Sequence, residues 1–148
     1  MFNGTLSEVT ICSMIVKFAL KVKPVVQKIR ELLISSKVVN FDETGVSIED
    51  STQWGHNSSN EKYTYLTVNK KSGQVGIADN GVITNFTGTA VHDCWGSYWR
   101  FENISHAVCC AHLLRELIAA SENNPSHIWA KRLGNLLLTM KTAKEKAI

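Results

Sequence analysis

The chain has 148 residues and a net charge of +3, with 44% hydrophobic and 20% charged residues and only two prolines and nine glycines. That describes one domain with a core of its own and excludes a disordered, linker-rich or low-complexity chain. The most apolar stretch, Val9 to Leu20, is interrupted by Lys17, is too short for a bilayer and lacks the flanks of a signal peptide, so a cytoplasmic protein is expected.

Residues 1–37 read as an N-terminal helical segment. Ile11, Ile15, Phe18, Val22, Val25, Ile29 and Leu32 recur at spacings of four and three, an amphipathic stripe with Lys17, Lys21, Lys28 and Arg30 off it. Thr5 or Ser7 can cap the start. Pro24 predicts a kink or a second helix, because proline lacks the amide proton that an interior turn uses.

From Val38 the period changes to two. A strand runs from Val38 through Val46 and Ile48, then a turn at Glu49-Asp50-Ser51 and a strand at Thr52–His56. A second turn at Asn57-Ser58-Ser59-Asn60 precedes a strand from Tyr63 to Asn69. Residues 74–87 allow a short helix or a loop. Gly88–His92 is a fourth strand, Trp95–Phe101 a helix, and Ser105–Cys109 a fifth strand. Two helices follow, Cys110–Ser121 and Ser126–Lys146. Three meandering strands followed by alternating helices and strands is the element order of ribonuclease-H-like folds, in which the first and fourth strands lie side by side and parallel. Asp42 and Asp93, each ending a short apolar run, would then share a metal. Carboxylates held rigidly at strand ends suit magnesium and phosphoryl chemistry.

Charge is distributed unevenly. Residues 1–37 carry six Lys/Arg against two Glu, residues 38–128 five against ten acidic groups, and residues 129–148 five against one. An acidic middle between basic ends fits a metal site inside a nucleic-acid-binding body, and equally fits lysine-rich surface helices. Cys12, Cys94, Cys109 and Cys110 lack the spacing of a disulfide framework and are expected to be reduced. Cys109 and His112 form a Cys-x-x-His pair, but a zinc site needs a second close pair, and none is evident.

Several segments together carry a family resemblance: Val39-Asn40-Phe41-Asp42-Glu43-Thr44-Gly45, Lys62-Tyr63-Thr64-Tyr65, Gly88-Thr89-Ala90-Val91-His92-Asp93-Cys94-Trp95 and Cys109-x-Ala111-His112-Leu113-Leu114-Arg115-Glu116-Leu117. In this order, and spanning nearly the whole chain, they resemble the bacterial insertion-sequence transposases of the IS sixty-six group, whose catalytic domain is of the DDE type. The resemblance implies a ribonuclease-H-like, retroviral-integrase-like mixed five-stranded sheet over 38–148, flanked by helices. It also implies Asp42 and Asp93 as the first two members of an acidic triad that binds Mg2+ or Mn2+, with two ions only in a complete site. DNA at transposon ends is the implied substrate, cut and transferred. The third acid, a glutamate, is expected downstream of Ile148, so the resemblance points to a partial catalytic domain that is inactive alone.

By the same resemblance Cys109, His112, Arg115 and Glu116 support the active site, and His112 and Glu116 can hydrogen-bond. Arg115 can meet a phosphate or pair with Glu122. Glu116 and Glu122 are the in-chain substitutes for the third acid. Lys62, Lys70 and Lys71 are candidate DNA contacts or solvated turn lysines. Glu43 and His92 point away from their aspartate neighbours, which makes them poor ligands. A second function class stays open: a non-catalytic remnant that binds DNA, the full-length transposase or a copy of itself as a regulator.

Overall fold

The computed structural model describes residues 7–147. The chain runs α1 (Glu8–Ile34), β1 (Val38–Ile48), β2 (Ser51–Ser59), β3 (Thr64–Asn69), α2 (Gly73–Asn80), β4 (Thr89–His92), β5 (Ser105–Val108), α3 (Cys110–Asn123) and α4 (Ile128–Lys146).

Ser7 caps α1, its Oγ accepting the Thr10 amide proton at 3.3 Å. Thr5, the other cap candidate, lies outside the described residues. No second helix starts at Pro24, and one helix continues through it. Pro24 and Leu20 are both exposed, so the Leu20 carbonyl that loses its partner can be hydrated instead. Only the last turns of α1 reach the core, through Ile29, Leu33 and Ile34. Its first turns leave Val9, Met14, Ile15, Phe18 and Leu20 exposed.

β1 and β2 form a hairpin whose turn is Glu49 and Asp50, at φ 48° and 57°. Two left-handed residues make the tight turn that follows the strand twist. The turn expected at Asn57–Asn60 starts later. β2 pairs with β1 as far as Ser59, opposite Asn40. Asn60 then closes the bend, its Oδ1 accepting the Lys62 and Tyr63 amide protons at 2.9 Å each. The helix expected over Trp95–Phe101 shrinks to one 3-10 turn, Tyr98–Arg100. Tyr98 is drawn into the core there and stacks on the His92 ring at 4.7 Å.

The sheet order is β3-β2-β1-β4-β5. The meander is antiparallel, whereas β1–β4 and β4–β5 are parallel. This is a ribonuclease-H-like mixed sheet. Leu33, Val39, Phe41, Ile77, Val82, Ile83, Phe86, Ala90 and Tyr98 form the core. Alternation puts Val39, Phe41, Ala90 and His92 on the covered face of the sheet. Val38, Asn40 and Asp42 of β1 and Leu66 and Val68 of β3 are exposed on the other face.

α2 is pinned to the sheet by a buried polar knot. Ser58 Oγ donates to Asn80 Oδ1 at 2.8 Å, while Asn80 Nδ2 donates to Thr67 Oγ1 at 3.0 Å and the His56 carbonyl at 3.3 Å. Gly76 lets α2 approach closely: a Cβ there would sit 2.1 Å from the Lys71 carbonyl oxygen and 2.3 Å from His56 Nε2.

Candidate active site

β1 and β4 pair in parallel as Val38 with Thr89, Val39 with Ala90 and Asn40 with Val91. Carried two residues further, this register sets Asp42 opposite Asp93. Asp42 is exposed on the open face, and its Oδ1 accepts the Glu43 amide proton at 2.9 Å. Asp93 lies just past the end of β4, half-buried, and its Oδ1 accepts the Trp95 amide proton at 3.0 Å. Both backbones are therefore fixed where the carboxylates emerge. Asn57, opposite Asp42 on β2, keeps a buried Oδ1 with no hydrogen-bond partner.

Glu43 turns to the covered face. Its side chain is 5% exposed, with Oε2 at 3.1 Å from His56 Nδ1. The ring nitrogen is misaligned for a hydrogen bond, so the contact is ionic by distance alone. The Gly73 amide proton reaches the same Oε2 at 3.2 Å. Burial raises the Glu43 carboxyl above its ordinary range. The Gly73 N–H and the His56 charge oppose that shift, while the Asp93 and Asp42 charges add to it. Burial likewise raises the Tyr98 phenol, helped by the charges of Glu43, Asp93 and Asp42. Asp42, Glu43 and Asp93 thus form one negative neighbourhood where the middle of β1 passes the C-terminal end of β4.

A cleft of about 730 Å³ opens beside it, lined by Trp54, Trp95, Leu113 and His112 together with the acids Glu43, Asp93 and Glu116. Glu116 therefore shares a cleft with Asp93. Glu122 instead lines an apolar groove between α3 and α4. Cys109 opens α3, its amide donating to the His92 carbonyl at 2.7 Å. His112 carries a buried Nδ1 without a partner, and no hydrogen bond joins it to Glu116. Arg115 is exposed and donates from Nε to the Ala111 carbonyl at 3.4 Å, with no ion pair to Glu122. Lys62 sits at the β2–β3 turn, whereas Lys70 and Lys71 follow the far end of β3, the end that pairs with Trp54. The three exposed lysines are thus divided between opposite ends of the sheet, with Lys70 and Lys71 at the end carrying Glu43.

Asp42, Asp93 and the orphaned Asn57 oxygen supply hard oxygen donors, the chemistry of magnesium and manganese sites. Among the described residues, no group of three or more His, Cys, Asp and Glu side chains converges closely enough to hold a metal. The donor set fits such a cation in kind and is short of a full acidic set.

The model of the family described as "Transposase IS66 family" matches residues 1–148. The chain belongs to that family. Among solved structures, this IS66-family chain is similar to the HTLV-2 integrase catalytic core domain in complex with magnesium. In its trimeric form the identity is 11% and the TM-score 0.41, over 68% of this chain and 81% of that one. In its dimeric form the values are 11% and 0.42, over 69% and 83%. The simian T-cell lymphotropic virus intasome in complex with a PP2A regulatory subunit is 12% identical with a TM-score of 0.43, over 69% of this chain and 48% of that one. No curated protein sequence matches the chain. Among the described residues, no helix of this IS66-family member is long and apolar enough to cross a membrane.

Two features of the site were not singled out in the sequence: the Glu43–His56 contact and a histidine chain behind Asp93, in which His92 Nε2 lies 2.8 Å from His106 Nδ1. The first was within reach. A two-residue turn at Glu49-Asp50 fixes a hairpin register in which Glu43 faces His56. The second depends on how β5 docks, which no local pattern states.

Proposed function

We propose that this chain carries the strand-cleaving and strand-joining core of a DNA transposase, working in the cytoplasm on the ends of an insertion sequence. What supports this reading is the parallel β1–β4 register in a member of a transposase family, because extending that register by two residues would set Asp42 beside Asp93. Asp42 and Asp93 are the residues that would hold Mg2+ or Mn2+. A bound pair of such ions supplies activation of water or a 3′-hydroxyl and stabilises the leaving oxygen. Trp95 N–H and the Glu43 backbone hold the two carboxylates in place. Lys70 and Lys71 are suited to meet the DNA backbone beside the site, and Lys62 would meet a phosphate only at the other end of the sheet. Cys109, His112 and Arg115 shape the start of α3 behind the cleft.

The isolated chain is inert as a nuclease in this reading, because Asp42 and Asp93 lack a third acid. Of the two candidate substitutes, Glu116 and Glu122, Glu116 is the one that shares a cleft with Asp93, so it is the one to test. The decisive measurement is Mn2+ binding together with cleavage of a labelled duplex. The expected result is weak Mn2+ binding lost in Asp42→Asn and Asp93→Asn, with no cleavage. Cleavage abolished by Asp42→Ala would overturn the inertness. Mn2+ binding unchanged in both variants would overturn the site.

A second reading is favoured by the basic ends of the chain and the incomplete acidic set: a regulator that binds DNA or the full-length transposase without cutting. Salt-dependent retention on transposon-end DNA, kept in Asp42→Asn, supports it.

A further inference from the structure

Behind Asp93 lies a chain of side chains with no role so far. His92 is wholly buried at the end of β4, and its Nδ1 meets the Asp93 carbonyl oxygen. Its Nε2 lies 2.8 Å from Nδ1 of His106 on β5, and His106 Nε2 lies 3.1 Å from the Phe101 carbonyl oxygen. The row therefore runs from Phe101 to Asp93 and links both strands to the segment that connects β4 to β5.

Aromatic rings hold the two imidazoles in this line. Tyr98 stacks on His92 at 4.7 Å and 16°, Trp99 meets His92 edge-on at 5.1 Å, and the Trp99 and His106 rings are 4.8 Å apart. Two neutral imidazoles supply two N–H groups to three contacts. If the outer donor is His106 Nε2–H, His92 Nε2–H donates to His106. If it is His92 Nδ1–H, His106 Nδ1–H donates to His92. A third arrangement, with both N–H groups outward, would leave two lone pairs face to face, and the 2.8 Å ring-to-ring separation is that of a hydrogen bond. The arrangement with His92 Nδ1–H on the Asp93 carbonyl and His106 Nδ1–H on His92 Nε2 is the one that ties β5 to the Asp93 peptide.

Asp93 is held from two sides. Its Oδ1 takes the Trp95 amide proton, and its carbonyl faces His92. We propose that His106 is a positioning residue for Asp93, acting through His92 to fix the peptide plane from which that carboxylate projects. The proposal builds on Asp93 as a metal ligand. Residues behind a ligand that orient it carry part of a site's affinity.

His106→Phe keeps a ring against Trp99 and removes the hydrogen bonds, whereas His106→Asn retains one donor and one acceptor. In the unsubstituted chain, 15N-labelled imidazoles should show a through-hydrogen-bond N–N coupling between His92 Nε2 and His106 Nδ1. In His106→Phe the Asp93 carbonyl and the amides of residues 93–95 should shift and broaden, and Mn2+ affinity should fall roughly tenfold. His106→Asn should recover most of both. Absence of the ring-to-ring coupling in the unsubstituted chain overturns the proposal, and needs no variant to fold. A His106→Phe variant that loses thermal stability while keeping the Asp93 resonances and Mn2+ affinity also overturns it, since His106 would then be packing alone. If the unsubstituted chain binds no Mn2+, the metal reading of Asp93 fails, and the coupling and the Asp93 resonances still decide the positioning role.

Discussion

His56 Nδ1 lies 3.1 Å from Glu43 Oε2 across the β1–β2 pair, with both side chains almost wholly buried at 3% and 5% exposure. His56 Nε2 points the other way, to the Lys71 carbonyl oxygen at 3.2 Å. A carbonyl only accepts, so Nε2 carries the proton and Nδ1 is the nitrogen left facing the carboxyl.

The pH dependence of stability follows from the raised Glu43 carboxyl. Burial is the largest cause, so the folded chain binds this proton more tightly than the unfolded chain does. Folded protein then carries the extra proton between the ordinary value of 4.5 and the raised one, and stability falls as pH rises across that interval. Below it both states are protonated and the penalty is absent. Glu43→Gln has no such proton, so in urea unfolding between pH 4 and 7 the unsubstituted chain should lose stability relative to the variant as pH rises. The opposite slope would mean that the His56 contact outweighs burial.

Asn80 is the second buried polar hinge, at 4% exposure. Asn80→Ala leaves the Ser58 hydroxyl without its acceptor and frees the Thr67 hydroxyl. An unsatisfied buried group of this kind costs about 2 kcal/mol. Denaturant titration should show that loss in the midpoint, with α2 losing amide protection before the sheet does. A loss within experimental error would mean that water replaces the amide.

The strand plan was legible because its signals are local. The period of two through Val39 and Phe41, the turn residues after Ile48 and the β-formers at Tyr63–Val68 each speak for themselves, and element order then implied the parallel β1–β4 neighbours. What failed were places where a distant contact overrides a local cue. Asn57 and Ser58 look like a turn, yet Ser58 is claimed by Asn80 from α2, and β2 runs on to Ser59. Trp95–Phe101 has a helical spacing, yet Tyr98 is pulled under His92 and the segment keeps one 3-10 turn. Pro24 obeys its rule in losing a donor, but at an exposed position the loss does not end the helix. At the candidate site, the neighbourhood of Asp42 and Asp93 follows from topology. The roles of Glu43, His92 and His106 do not, because they depend on which side of the sheet is covered.

The β1–β2 hairpin should be open to improvement. Glu49 and Asp50 both hold positive φ, where a Cβ crowds the backbone. Asp50→Gly removes that crowding at the cost of some unfolded-state entropy, for a net gain of about 0.5 kcal/mol. A small rise in the thermal midpoint, with an unchanged spectrum around Asp42, is the expected outcome. A fall would show that the Asp50 side chain stabilises the turn by more than its backbone strain costs.

Gly76 tests how tightly α2 is bound to the site. A methyl there would overlap both the Lys71 carbonyl oxygen and the His56 ring, at 2.1 and 2.3 Å. Neither can yield cheaply. The carbonyl is backbone, and the ring is held between Lys71 and Glu43. Overpacking at a fixed contact costs about 3 kcal/mol or more. Gly76→Ala should therefore lower the unfolding midpoint by more than Asn80→Ala does, and should move the His56 ring off Glu43. The displaced ring gives the result a second signature: the Glu43 carboxyl loses the His56 charge that holds its affinity for protons down, so its 13C titration should shift further upward. Destabilisation without that shift would mean that α2 moves away as a body and leaves the Glu43–His56 contact intact.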